Sequence, residues 1–123
     1  AFLQISSFLI FILIIFNPIN TDIAISKDLA SNDLINKISR DYTRKFCNAI
    51  GFGLSKESAM NFALKENKQT FVNKKGINNI EINELSDEVS ISVIESCGYP
   101  IGLSGQEGVI AFKEYYLKNY NEQ

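Results

Sequence analysis

Between Ser31 and Ile50 the residues Ile35, Ile38, Tyr42, Phe46, Ala49 and Ile50 recur at steps of three and four. That spacing stacks side chains on one face of an α-helix. Lys37, Arg40, Asp41, Arg44 and Asn48 fall on the opposite face, and Cys47 lies at the edge of the apolar stripe. Ser31 or Asn32 supplies an N-cap, and Gly51 and Gly53 supply the stop, since glycine takes the left-handed C-cap conformation without steric cost. Ser55 opens a second helix with Glu57 in its first turn, where the dipole favours a negative charge. Met60, Ala63, Leu64 and Phe71 form its buried stripe, and Asn73–Gly76 ends it. Ile77 to Glu81 has no clear period; a short extended piece is one reading.

The third element, about Asn83 to Cys97, carries two patterns at once. Val89-Ser-Ile91-Ser-Val93 alternates as a strand does, while Leu85, Val89, Val93 and Cys97 repeat every fourth residue. Asp87 and Glu88 near the start and Gly98 at the end fit helix polarity, and helix is the expected state. Pro100 closes the exit turn. Ser104-Gly-Gln-Glu107 then reads as a capping box before a fourth helix. That helix has Val109, Phe112, Tyr116 and Tyr120 on one stripe and Ile110 and Leu117 beside it. The expectation is an all-α fold: a small bundle of four short helices, packed antiparallel because the connections are short.

Ahead of this domain, Phe8 to Phe16 is wholly apolar, and Ala1–Phe16 carries no charge. Nine apolar residues match a secretory h-region, whereas a bilayer-spanning helix needs about 20. Asn17-Pro18 breaks the run, and Ala24-Ile25-Ser26 offers small residues for cleavage. The run lacks the charged residues that precede an h-region, so such a stretch is expected upstream. Residues 1–26 therefore read as a signal peptide or an uncleaved membrane anchor, residues 27–31 as a linker and residues 32–123 as the helical domain. An ordinary buried helix is the third reading, disfavoured because the run has no polar stripe.

Cys47 and Cys97 are the only cysteines, and an even count in an exported chain points to a disulfide. Two free buried thiols are the alternative. The wide spacing is unlike a redox Cys-x-x-Cys motif. No metal site is expected, because a zinc site would need two further ligands and the chain has no histidine. The missing imidazole also removes the usual activation of a cysteine nucleophile and every His-based triad. Carboxylate pairs such as Glu84 with Glu88, or Asp87 with Glu88, sit on a polar face. No catalytic residue, no cofactor and no enzymatic activity are expected. The net charge of −2 argues against a nucleic-acid partner.

Two stretches mirror each other: Phe46-Cys47-Asn48-Ala49-Ile50-Gly51-Phe52-Gly53 and Cys97-Gly98-Tyr99-Pro100-Ile101-Gly102-Leu103. A Cys47–Cys97 bond would bring Phe52, Tyr99 and Leu103 to one face, an apolar partner site or else the rim of the core. Lys37, Arg40, Arg44 and Lys45 would add a basic face that orients an anionic partner or is merely solvated. Tyr115, Tyr116 and Tyr120 are expected in the core with their hydroxyls at the surface.

Ile, Asn and Lys number 18, 13 and 10, so these three fill 41 of 123 positions, a bias expected of an AT-rich genome. The segment Tyr42-x-Arg44-x-Phe46-Cys47-Asn48-Ala49-Ile50-Gly51-Phe52-Gly53-Leu54-Ser55, with the later Cys97-Gly98-Tyr99-Pro100, resembles small exported proteins of marine picocyanobacteria over residues 38–103. The resemblance implies the thylakoid lumen or the periplasm, and carries no activity. The functional expectation is a non-enzymatic accessory subunit of a membrane protein complex, possessing a membrane attachment of its own if the N-terminal segment is uncleaved. The alternative is a small carrier of an apolar ligand between the helices.

Overall fold

The computed structural model describes residues 19–123, with side chains from residue 29 onward. The apolar run Phe8–Phe16, and the signal or anchor expected there, lies outside the described residues. Helix α1 spans Ile19–Gly51, α2 Lys56–Phe71, α3 Ile82–Cys97 and α4 Gly105–Glu122, with 3-10 turns at Ile77–Asn79 and Tyr99–Ile101. This is the all-α four-helix arrangement that the periodicity predicts. Ser31–Gln123 forms one compact unit. Among the described residues no helix is long and apolar enough to cross a membrane.

Helix α1 starts earlier than expected. It passes through Ser31 and Asn32 without a break, so neither caps it, and residues 27–31 are helical. Residues 19–50 contain neither proline nor glycine, so nothing in them interrupts the backbone ladder. The C-terminus ends as the glycines predict. Gly53 sits at φ +96, its N–H donates to the Ile50 carbonyl at 3.0 Å, and the Leu54 N–H donates to the Ala49 carbonyl at 3.0 Å. This is a Schellman motif, which satisfies carbonyls that the helix end would leave bare.

Ser55 caps α2 through its hydroxyl, which accepts from the Ser58 N–H at 3.1 Å. Ser104 behaves differently: it is extended, yet its side chain makes no capping bond, and the expected box with Glu107 does not form. The next residue, Gly105, lies at φ +62, and that left-handed turn carries the backbone out of capping-box geometry. Ile77–Asn79 winds as a 3-10 turn, and Ile80 and Glu81 beyond it are extended, so the extended piece is confined to two residues.

In α3 the four-residue repeat wins over the alternation. Val89 and Val93 are fully buried, whereas Ile91 is 41% exposed. The serines between them are not equivalent either. Ser90 is buried and its hydroxyl donates to the Ser86 carbonyl at 2.6 Å; Ser92 is half-buried and accepts from the Thr43 hydroxyl at 2.8 Å.

The contacts fix the helix directions. Thr43 meets Ser92, and Cys47 is bonded to Cys97, so α1 and α3 run parallel. Tyr42 packs edge-on against Tyr116 and Phe46 against Phe112, each at 5.2 Å between ring centres, so α4 runs antiparallel to α1. The Tyr42 hydroxyl reaches the Met60 sulfur at 3.0 Å, closing the core on the α2 side. These four aromatic rings fill the centre, and each is fully buried. The Cys47–Cys97 Cα atoms are 5.7 Å apart, and Cys97 is buried while Cys47 is half-buried at the stripe's edge.

Glycine is required at Gly98. A Cβ there would come 2.5 Å from the Leu103 carbonyl oxygen and 2.6 Å from that of Ile94. The close approach lets the Gly98 carbonyl accept from Leu103 N–H at 2.9 Å, folding the α3–α4 connection back on itself.

Among the described residues one buried side-chain group is unpaired. The Tyr116 hydroxyl is buried with no hydrogen-bond partner, contrary to the expectation that the tyrosine hydroxyls of α4 reach the surface. Tyr115 and Tyr120 are half-buried. The Tyr116 ring must lie deep to meet Tyr42, and that depth strands its oxygen. Burial, then the nearby Tyr120 phenol, raises the Tyr116 pKa. Burial also raises that of Tyr42, with Tyr116 and Tyr115 adding to it.

Closing a loop across 50 residues removes unfolded-state entropy worth about 4 kcal/mol. Replacing both Cys47 and Cys97 by serine should lower unfolding free energy by about that much, read by chemical denaturation. Tyr116→Phe should instead stabilise by about 1 kcal/mol, because it removes an unsatisfied buried hydroxyl. Folded, both phenols resist ionisation; unfolded, they ionise near pH 10. The stability they contribute is therefore complete below about pH 10 and is lost as pH rises toward the folded-state values. Melting temperature should fall in that range, less steeply in Tyr116→Phe.

Candidate functional site

The disulfide end gathers most of the residues singled out from sequence. It comprises the C-termini of α1 and α3 and the N-termini of α2 and α4. Phe52 is 85% exposed and Tyr99 is 95% exposed, each within a few residues of a bonded cysteine. Leu103 differs: it is half-buried and packs against the core. It also shares with Tyr99, Ile91, Ile94 and Val109 an open, largely apolar groove between α3 and the start of α4. Leu54 and Ile110 add further exposed apolar surface. Nearby, Lys56 sits 5.2 Å from the centre of the Tyr115 ring, whose hydroxyl has a raised pKa from burial and then from the charge of Glu57.

The basic residues of α1 do not form an open positive face. Lys37 pairs with Asp33 at 3.0 Å, and Arg44 and Lys45 pair with Asp41 at 2.9 and 2.8 Å. Arg40 is exposed in a groove that also contains Asp33, Glu88 and Glu95. Each cation thus has acidic company, and the field of the face is weak.

Asp41 is not on the solvated face where periodicity places it. Its side chain is only 11% exposed, and it also accepts from the Asn67 amide at 2.9 Å. The same amide donates to the Ile38 carbonyl at 3.0 Å, and Lys45 donates to the Thr70 hydroxyl at 2.9 Å. This polar cluster joins α1 to α2. Asn67 lies four residues before Phe71 on the buried face of α2, and that position for a lone amide was the signal in the sequence for a polar partner on α1.

The opposite end carries a feature that the sequence reading missed. A cleft of about 270 Å³ opens where the last turn of α2, the 3-10 turn and the start of α3 meet. Ile38, Phe71, Ile77, Ile80 and Leu85 supply apolar wall, and Lys68 and Tyr120 stand on it. The Lys68 ammonium donates to the Tyr120 carbonyl at 3.0 Å and lies 3.9 Å from the centre of the Tyr120 ring. Desolvation by burial lowers its pKa.

The acidic residues of α3 remain at the surface. Glu84, Asp87 and Glu88 are exposed, and Asp87 pairs with Lys113 of α4 at 2.7 Å. Among the described residues no group of three or more cysteine or carboxylate side chains is arranged to hold a metal ion. No known protein family, curated protein or solved structure matches the chain. The disulfide points to an oxidising compartment outside the cytoplasm.

Asp41→Ala should cost about 1–2 kcal/mol, because Lys45 loses its ion pair and the Asn67 amide loses one of its two acceptors in a half-buried setting. Lys37→Ala, which removes only an exposed pair, should cost less than about 0.5 kcal/mol. Denaturant unfolding of the two variants checks the contrast.

Proposed function

We propose that the chain is a non-enzymatic, exported helical protein that acts as an accessory subunit of a membrane protein complex, in the periplasm or the thylakoid lumen. The docking surface is the disulfide end. The observation that carries this reading is the exposure of Phe52 and Tyr99 on two helix ends that a covalent bond holds together. Exposed aromatic rings on a rigid base are favourable contact residues, since they lose little side-chain entropy on burial. The groove beside Tyr99 extends the apolar area toward Val109. Because Lys37, Arg44 and Lys45 are paired, the basic face contributes little to orientation, and Arg40 is the exposed cation left to contribute there.

A native gel of the source membranes tests the assignment. The protein should migrate with a large membrane complex, and a Phe52→Ser/Tyr99→Ser double variant should migrate alone. The variant's melting temperature should stay close to that of the parent, because exposed substitutions of this kind change stability by less than about 0.5 kcal/mol. A parent protein that migrates only as a free small species overturns the reading.

A further inference from the structure

We propose that the cleft at the end of the bundle away from the disulfide binds an unbranched, medium-chain carboxylate, with its tail along the wall formed by Ile38, Phe71, Ile77 and Leu85 and its headgroup on the Lys68 ammonium. The proposal is independent of the docking reading, which concerns the other end of the bundle.

Three observations carry it. The first is the wall: it is mostly apolar, and among the described residues no carboxylate lines it. The second is the cation. Lys68 is half-buried and has no acidic partner within ion-pair distance among the described residues, unlike Lys37, Arg44, Lys45 and Lys113. Its neighbours, a carbonyl oxygen and an aromatic face, attract a positive charge without neutralising it. A desolvated ammonium beside an apolar wall selects a ligand that brings one negative charge and a hydrocarbon tail. The third is size. At about 30 Å³ per water-sized group, the 270 Å³ cleft holds about nine such groups, close to the ten heavy atoms of an eight-carbon acid whose headgroup sits at the rim. One ammonium matches one carboxylate; a phosphate monoester would bring a charge of about −1.5 to −2. Asn78, also on the rim, offers an amide donor to the second carboxylate oxygen.

The test is a titration of the full chain with octanoate, 1-octanol and octyl phosphate, followed by amide chemical shifts. Octanoate should bind saturably with one site, moving resonances of residues 67–85 and of Tyr120. Octanol should bind at least ten-fold more weakly. Lys68→Gln should weaken octanoate about ten-fold and leave octanol unchanged. Lys68 also touches α4, so a second variant leaves it in place: Asn78 is exposed on the rim, and Asn78→Glu sets a carboxylate there and should abolish octanoate binding while the melting temperature holds. Several results would overturn the proposal. These are the absence of saturable binding up to millimolar octanoate, equal affinity for octanol, tighter binding of octyl phosphate, or octanoate binding unchanged in either variant.

Discussion

The bond between Cys47 and Cys97 is the constraint on which the arrangement of the helices depends. Helices α1 and α3 run parallel, so no short loop can join them and nothing in chain connectivity holds their ends together. The disulfide does so covalently, and the Thr43–Ser92 hydrogen bond repeats the contact one turn further in. With those two helices fixed, α2 and α4 descend from the same end and close the core around Tyr42, Phe46, Phe112 and Tyr116. A unit of this size buries a modest core, so a cross-link of this strength is comparable with its entire net stability. Gly98 acts with the bond. Immediately after Cys97 the chain must turn within contact distance of its own backbone, and only a residue without a side chain permits that.

Much of this was legible in the sequence because it depends on local rules. The α1 stripe of Ile35, Ile38, Tyr42, Phe46 and Ala49 is buried as its spacing requires. Gly53 and Ser55 end and begin helices through the hydrogen bonds their residue types favour. In α3 the helical repeat prevailed over the alternating one: Leu85, Val89, Val93 and Cys97 are all buried, whereas Ile91, in phase with the alternation, is exposed. The failures lie where tertiary contacts overrule local pattern. Asp41 reads as solvated by its position on the helical wheel, but α2 crosses that side of α1 and brings Asn67 to it. Ser104 has a capping sequence, yet the left-handed Gly105 decides the geometry. The start of α1 was misplaced because a good cap residue within a continuous helix gives no signal that it is unused.

The candidate sites divide in the same way. That Phe52 and Tyr99 would share an end was readable once the cysteines were paired, because both lie next to them in sequence. Leu103 was not separable from them by sequence, as a residue five positions after Gly98 can turn outward or inward; the hydrogen bond to the Gly98 carbonyl turns it against the core. The cleft at the far end had no local signature at all. Its walls come from four separate segments of the chain, and Lys68 looks in sequence like any other surface lysine of α2.

A column of aromatic rings runs through the core: Tyr42 against Tyr116 and Phe46, and Phe46 against Phe112. Interiors packed in this way resist small deformations, since displacing one ring requires its neighbours to leave their own rotamers. Helix α4 is held in addition by polar ties, to α3 at Asp87–Lys113 and to α2 at Lys68–Tyr120. The one loosely satisfied point in the column is the Tyr116 hydroxyl, which has nothing to hold it in place. Tyr116 packs against Tyr120, whose carbonyl and ring receive the Lys68 ammonium. This short chain of contacts runs from the cation through two tyrosines into the core, at the end of the bundle that the covalent bond does not fix and that polar contacts and packing hold.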